Sequence, residues 1–286
     1  MIKVKPKQIF KIIFSAVIIL MLFSNVSLGQ NAFEYLLSKK LDSLAKAKAI
    51  YGSNELVPND AMKSVMTPTG FGGFGTYVFG GFGGVYPAVY TNKGDLVSSV
   101  GFCVGNSEKF VNFAASTNIT KVTSFNDFSA NFILSRKLFA GTSISVGGLQ
   151  LFAHSIQSDA PGSTFYVAVS HALQGVKSKS AGYSGLSYTI GIGNGRFLLK
   201  SPFDILNGKG KYGTAVFGSI SYEIFKRVNV NAEWTGMNLG LSTGLRPFKA
   251  SPFSIGLGVS DLTRYSSDKP SMMFSIGYPL SLTRRI

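Results

Sequence analysis

Cysteine occurs once in the 286 residues, at Cys103, so no disulfide within the chain can brace the fold. Charged residues make up only 14 % of the chain, less than the polar coat of a water-soluble protein of this size requires. The two histidines, His154 and His171, confine any histidine-dependent catalysis to two positions. No His, Cys, Asp and Glu set has the spacing of a zinc site, and no acidic loop resembles a calcium site, so no metal and no cofactor is expected. The Gly-x-Gly-Asn-Gly run from Gly191 to Gly195 lacks the Lys-Ser/Thr of a phosphate loop. Beyond residue 28 no apolar run reaches the ~18–20 residues of a membrane-spanning helix. A mature chain that crosses a membrane must therefore do so with strands.

What the chain does have is glycine, aromatics and alternation. It holds 33 Gly and 13 % aromatic residues. From Val228 to Leu282 four consecutive segments alternate large apolar residues with Gly, Ser, Asn and Thr. Val228, Val230, Ala232 and Trp234 fall on one face of the first, and Asn229, Asn231 and Glu233 on the other, because strand side chains alternate with period two. Leu239 and Leu241 then oppose Gly240, Ser242 and Gly244; Ile255, Leu257 and Val259 oppose Gly256 and Gly258; Phe274, Ile276 and Tyr278 oppose Ser275 and Gly277. A sandwich must fill a core between its two inner faces, whereas here the second face is small or polar throughout. One apolar face and one small, wet face suit a barrel in lipid.

The amino terminus reads as a secretory leader: Lys3, Lys5, Lys7 and Lys11, an apolar run from Ile12 to Phe23, and Ser27-Leu28-Gly29 as a small-x-small cleavage site. Without the four leader lysines, 24 basic residues stand against 13 acidic ones. They sit mostly in connections, such as Lys177 and Lys179 or Lys226 and Arg227, not on one groove or helix, which argues against nucleic acid and leaves two readings open, solvated turn residues and contact with anionic head groups of outer-membrane lipid.

Asn31 with Glu34 resembles a capping box, and Phe33, Leu37, Leu41 and Leu44 keep helical spacing, so a short amphipathic helix is expected ahead of a polar linker from Ser53 to Pro68. From Gly70 onward about twelve strands of ~9–11 residues can be placed, the first over Gly72–Phe82. Connections after odd strands tend to be long and those after even strands short, which puts both termini in the periplasm of a bacterial outer membrane. The expected organisation is a signal peptide over 1–29, a periplasmic helix and linker over 30–69, and an all-β, antiparallel transmembrane β-barrel over 70–286.

Ser163-Thr-Phe-Tyr166, Gly191-Ile-Gly-Asn-Gly-Arg-Phe197, Glu233-Trp-Thr-Gly236, Leu239-Gly-Leu-Ser242, Pro247-Phe248, Pro252-Phe253 and Gly258-Val-Ser-Asp-Leu262 carry a family resemblance. On them the chain resembles a family of uncharacterised bacterial outer-membrane barrel proteins and, more distantly, barrels associated with exopolysaccharide export. The resemblance implies a barrel in the cell envelope and carries no catalytic residue. Ser170 and His171, as strand neighbours, point to opposite faces, so no histidine triad emerges. The lumen-facing candidates are Glu233 and Arg246, expected to pair across neighbouring strands, with Asn229, Asn231 and Ser242 nearby. Trp234 and Tyr278, outward, are candidates for the membrane-interface belt. The expectation is a non-enzymatic envelope structural, interaction or export-assisting component, with residues 31–50 as a docking element for a periplasmic or export-machinery protein. The alternatives are a narrow solute channel and a lipid-acting outer-membrane enzyme.

Overall fold

A computed structural model describes residues 55–282 except 74, 89–92, 122–125, 154–161, 250 and 268. The leader, the helix expected from Asn31 and His154 lie outside the described residues. Twelve strands close a barrel: β2 (Tyr77–Tyr86), β3 (Asp95–Gly105), β4 (Asn112–Lys121), β5 (Asn126–Phe139), β6 (Thr142–Leu151), β7 (Thr164–Ala172), β9 (Leu186–Gly193), β10 (Val216–Phe225), β11 (Val228–Trp234), β12 (Leu239–Leu245), β13 (Ser254–Ser260) and β14 (Ser271–Ser281). Every neighbouring pair is antiparallel, and β14 meets β2 from Met272↔Tyr86 to Ser281↔Tyr77, so the sheet keeps no open edge. Two short strands, β1 (Val57–Pro58) and β8 (Tyr183–Ser184), pair in parallel outside this ladder.

The alternation of the sequence is the alternation of the wall. On β10 to β12 the registers Ile220↔Ala232↔Leu241 and Ser221↔Asn231↔Ser242 set an apolar row outside and a polar row inside. Val100, Ile190, Ile220 and Leu241 are exposed on the outer surface, whereas Asn229, Asn231 and Glu233 have no exposed area at all. Such an apolar belt on a closed barrel is the surface that lipid requires. Among the described residues no helix is long and apolar enough to cross a membrane.

The lumen is occupied by the chain itself. Glu55 accepts from Gly141 N (2.9 Å) and pairs with Lys137 (2.7 Å), and Gln174 brackets Leu56 with two hydrogen bonds of 2.9 Å. From there the chain climbs along β11 and turns at Ser64–Thr67. It then crosses to β6 and β7, where Ser145 Oγ donates to Thr69 O (2.9 Å) and Gly70 N donates to Ser170 Oγ (2.7 Å). It leaves along β3, Gly75 N donating to Gly105 O (3.1 Å), and becomes β2.

Residues 55–69 are thus part of the barrel unit, which begins at Glu55, and the expected polar linker is corrected to a lumenal plug. The first strand likewise starts at Tyr77, not Gly72, because Gly70, Gly72 and Gly73 are spent on close passage: a Cβ on Gly70 would stand 2.5 Å from Ser143 O. The connection 173–185, longer than a simple turn, is explained by β8, which clasps β1 at the base of the plug.

Candidate functional site

Glu233 is the latch of the plug. Its carboxylate accepts from the backbone N–H groups of Val65 (2.9 Å), Met66 (2.9 Å) and Thr67 (3.1 Å) and from the hydroxyls of Ser64, Thr67 and Ser242. A fully buried carboxylate is costly unless its lone pairs are satisfied, and a tight turn aiming consecutive N–H groups at one point satisfies them. Below it Asn59 and Asn229 exchange amide hydrogen bonds, and Asn229 also reaches Ala61 O and Met62 O at 3.4 Å. Lys63 Nζ folds back on Asn59 O and Ala61 O beside the Phe71 ring.

The glycines of β12 and β13 make room for this segment. A Cβ on Gly240 would fall 2.3 Å from Met66 Sδ, one on Gly244 2.1 Å from Met62 O, and one on Gly256 2.8 Å from Met62 Sδ. Their small inward face therefore receives a methionine-bearing plug, Met62 and Met66 being unbranched side chains that fit irregular space.

Above the plug, at the end carrying the 194–215 and 261–270 connections, lies a cavity of about 390 Å³. Val65 and Met66 form part of its floor, Asn118, Ser129, Asn131 and Gln150 one wall, and Arg196, Met237 and Met273 contribute elsewhere. The wall is pre-set: Asn131 Nδ2 donates to Asn118 Oδ1 (3.1 Å), Asn118 Nδ2 to Ser129 Oγ (3.1 Å), and Gln150 N to Asn131 Oδ1 (2.8 Å). Gln150 takes a φ of +53° where the β5–β6 register shifts between Ala130 and Phe132, a bulge of the sort that re-aims side chains beside sites.

A cap of loop residues rims the cavity. Asn238 donates to Asp261 Oδ1 (2.7 Å) and Ser266 O, and accepts from Thr263 Oγ1 (3.0 Å), Tyr265 N (2.7 Å) and Ser266 N (3.1 Å). Lys200 Nζ donates to Lys209 O (2.7 Å) and Tyr265 O (3.0 Å), and lies 3.6 Å from the centroid of the Tyr265 ring. Asp204, on the short helix α1 (Pro202–Leu206), joins the two connections. Burial alone raises its pKa, but hydrogen bonds from Ser266, Ser267 N and Ser201, with Lys209 nearby, outweigh that and hold it below the ordinary carboxylate value.

On the outward face of the wall, near the opposite end, Thr142 Oγ1 and His171 Nδ1 are 2.7 Å apart, Thr142 being buried, and the Tyr188 and His171 ring centroids are 5.6 Å apart. Among the described residues no group of His, Cys, Asp and Glu could hold a metal ion.

Of the residues singled out in the sequence, Asn229, Asn231, Glu233 and Ser242 all face the lumen; Asn231 Nδ2 donates to Ser242 Oγ (3.0 Å), whose hydroxyl reaches Glu233. Arg246 does not pair with Glu233. It lies just past the end of β12 and binds Asp60 of the plug at 2.9 Å, because β12 runs away from Glu233 toward the plug's base. Trp234 and Tyr278 face outward, Trp234 Nε1 donating to Thr214 Oγ1 (3.1 Å). Sequence reasoning missed Asn59, Asp60, Ser64–Thr67 and Arg196. The available signal was the concentration of inward glycine on β12 and β13, more than a water-filled lumen needs.

No family model matches the chain, and no curated protein sequence matches it. Solved structures do. An active-site mutant of outer membrane phospholipase A from Escherichia coli is 11 % identical, matches 76 % of this chain and 94 % of its own, and superposes with a TM-score of 0.34. The Salmonella typhi outer membrane phospholipase dimer with bound calcium is 12 % identical, with 73 % and 90 % covered and a TM-score of 0.33. The likeness is one of fold. The closed twelve-strand barrel rests on the strand pairing of this chain, and no residue role passes to it at such TM-scores. The resemblance to export-associated barrels reduces to that coarser statement. The expectation of a protein without enzymatic activity is not carried forward, since these solved structures are of phospholipases; the likeness assigns no activity to this chain.

Proposed function

We propose that this protein is a self-plugged outer-membrane barrel, a narrow solute passage that opens when residues 55–76 are displaced from the lumen. The observation that carries the reading is the Glu233 latch, in which one wall carboxylate gathers three backbone N–H groups and two hydroxyls of a segment continuous with the amino terminus. A lumen wall needs no such docking point unless the segment has a defined seat. In this reading the short-turn end, from which the plug enters, faces the periplasm, and the 390 Å³ cavity lies toward the outer end. The plug can then be drawn from the periplasmic side while a solute occupies the cavity.

The test is conductance in planar bilayers. The wild type should be closed with rare steps, whereas Glu233→Gln, which puts an amide donor among donors and forfeits charge-assisted bonds of ~1.5–3 kcal/mol each, should open often. Deletion of residues 59–69 should open permanently. Silence from both variants in a correctly closed barrel rules the passage out.

A second reading, a lipid-acting enzyme, draws on the Thr142–His171 pair, a hydroxyl and an imidazole at hydrogen-bond distance on the outward face of the wall, with Thr142 buried and His171 half-buried. Thr142 Oγ1 would attack an ester carbonyl as His171 Nδ1 takes its proton, the alcohol leaving with that proton and water later releasing the acyl group. Phospholipid vesicles containing the purified protein should release fatty acid, and Thr142→Val and His171→Ala should each abolish release; equal release from either variant removes the reading.

A further inference from the structure

We infer that the cavity above the plug binds a small amphipathic organic anion, its charged end held by Arg196 and its apolar body seated on Val65 and Met66. This names the solute class of the passage proposed above and rests on that reading.

Arg196 is presented to the cavity by a fixed turn. Its own N–H donates to Thr164 Oγ1 at 3.0 Å, and the next residue, Phe197, is buried and stacked on Phe217 with ring centroids 4.2 Å apart. Tyr166 closes the cluster edge-on to both rings. Gly195, at a φ of +51°, lies so close to β7 that a Cβ would fall 2.1 Å from Thr164 Oγ1. The backbone carrying Arg196 therefore has little freedom, and Arg196, an exposed residue, is one of those that line the cavity.

The lining carries one cation, Arg196, and two carboxylates, neither of them paired with it. Asp95 and Asp261 also line the cavity. Asp261 is committed to Asn238 Nδ2 (2.7 Å) and Ser260 Oγ (2.9 Å), and Asp95 has a partner as well. Among the described residues no carboxylate lies within ion-pair distance of Arg196. A guanidinium with five donors and no acidic partner is the group in this cavity suited to a carboxylate or phosphate.

The remaining lining sets the body of the ligand. Val65, Met66, Met237 and Met273 offer an apolar, adaptable surface, and the Asn118–Ser129–Asn131 wall is already internally bonded, so it accepts a polar edge without requiring one. An inorganic anion leaves the apolar surface unused, and a neutral hydrocarbon leaves Arg196 unused. Met66 N is one of the donors to Glu233, so an occupant resting on Met66 touches the latched turn directly.

The full-length protein in detergent micelles, titrated calorimetrically with 4-phenylbutyrate and with its neutral amide, tests this. The carboxylate should bind at least about tenfold tighter than the amide, the scale of a charge-assisted contact. Arg196→Gln should erase that preference without changing amide binding, and Arg196→Lys should keep part of it; heat-modifiable migration checks that each variant is a closed barrel. Equal binding of the two probes, binding of neither, or an undiminished preference in Arg196→Gln overturns the proposal. Because the passage is read from conductance of Glu233→Gln, a barrel that opens there but binds neither probe loses the ligand assignment alone.

Discussion

Asn59 on the plug and Asn229 on the wall exchange a reciprocal pair of amide hydrogen bonds, 3.1 and 2.9 Å, with Asn229 fully buried. Loss of Asn229 removes both of these bonds, while Asn59 keeps Ser184 O and Ala61 N as partners. Asn229→Ala should weaken plug docking by about 1–3 kcal/mol, two hydrogen bonds at ~0.5–1.5 kcal/mol each. Hydrogen exchange at Val65–Thr67 should quicken accordingly, while the strands stay protected; unchanged protection at the turn would show that the pair contributes nothing.

Gly244→Val is expected to evict the plug and spare the wall. The site would place Cβ 2.1 Å from Met62 O, a backbone atom that cannot swing aside, whereas valine suits the strand itself. The variant should migrate as a folded barrel and conduct like the 59–69 deletion. A closed, non-conducting Gly244→Val barrel would mean that the segment shifts within the lumen instead of leaving it.

Arg246→Gln should do little by comparison. The Asp60 and Arg246 side chains keep 38 % and 21 % of their area exposed, so their 2.9 Å ion pair is screened by water and is worth under ~1 kcal/mol. Conductance close to that of the wild type, against the opening expected of Glu233→Gln, separates a screened pair at the plug's base from the buried latch.

The cap should loosen in acid. Asp204 is held below the ordinary carboxylate pKa in the folded protein, so its contribution is fully present above the unfolded value and fades as pH falls through the folded one. Proteolysis of the 194–215 and 261–270 connections should therefore accelerate at pH values below the usual carboxylate range. Asp204→Asn should be cleaved faster at neutral pH and lose most of that pH response; an unaltered pH profile in the variant would assign the response to another group.

The wall was legible because it is governed by a local rule. Period-two alternation alone assigned Asn229, Asn231, Glu233 and Ser242 to the inside and Trp234 and Tyr278 to the outside, and it located most strands. Where the rule weakens, so did the reading. The glycines between Gly70 and Gly84 carry no alternating side-chain signal, and the first strand begins at Tyr77, five residues after Gly72. Arg246 kept the phase of β12 on paper, but the strand ends at Leu245.

Strand phase, the apolar outer belt and the abundance of small inward residues were determined by the sequence itself, since each follows from neighbours a few positions apart. What fills the lumen was decided only in three dimensions. Ser64–Thr67 meets Glu233 across more than 160 residues of chain, as Asn59 meets Asn229, and no local pattern couples such positions. The glycines of β12 and β13 looked the same in sequence whether they faced water or Met62 and Met66. Closure of the barrel brought the plug against them and made the difference.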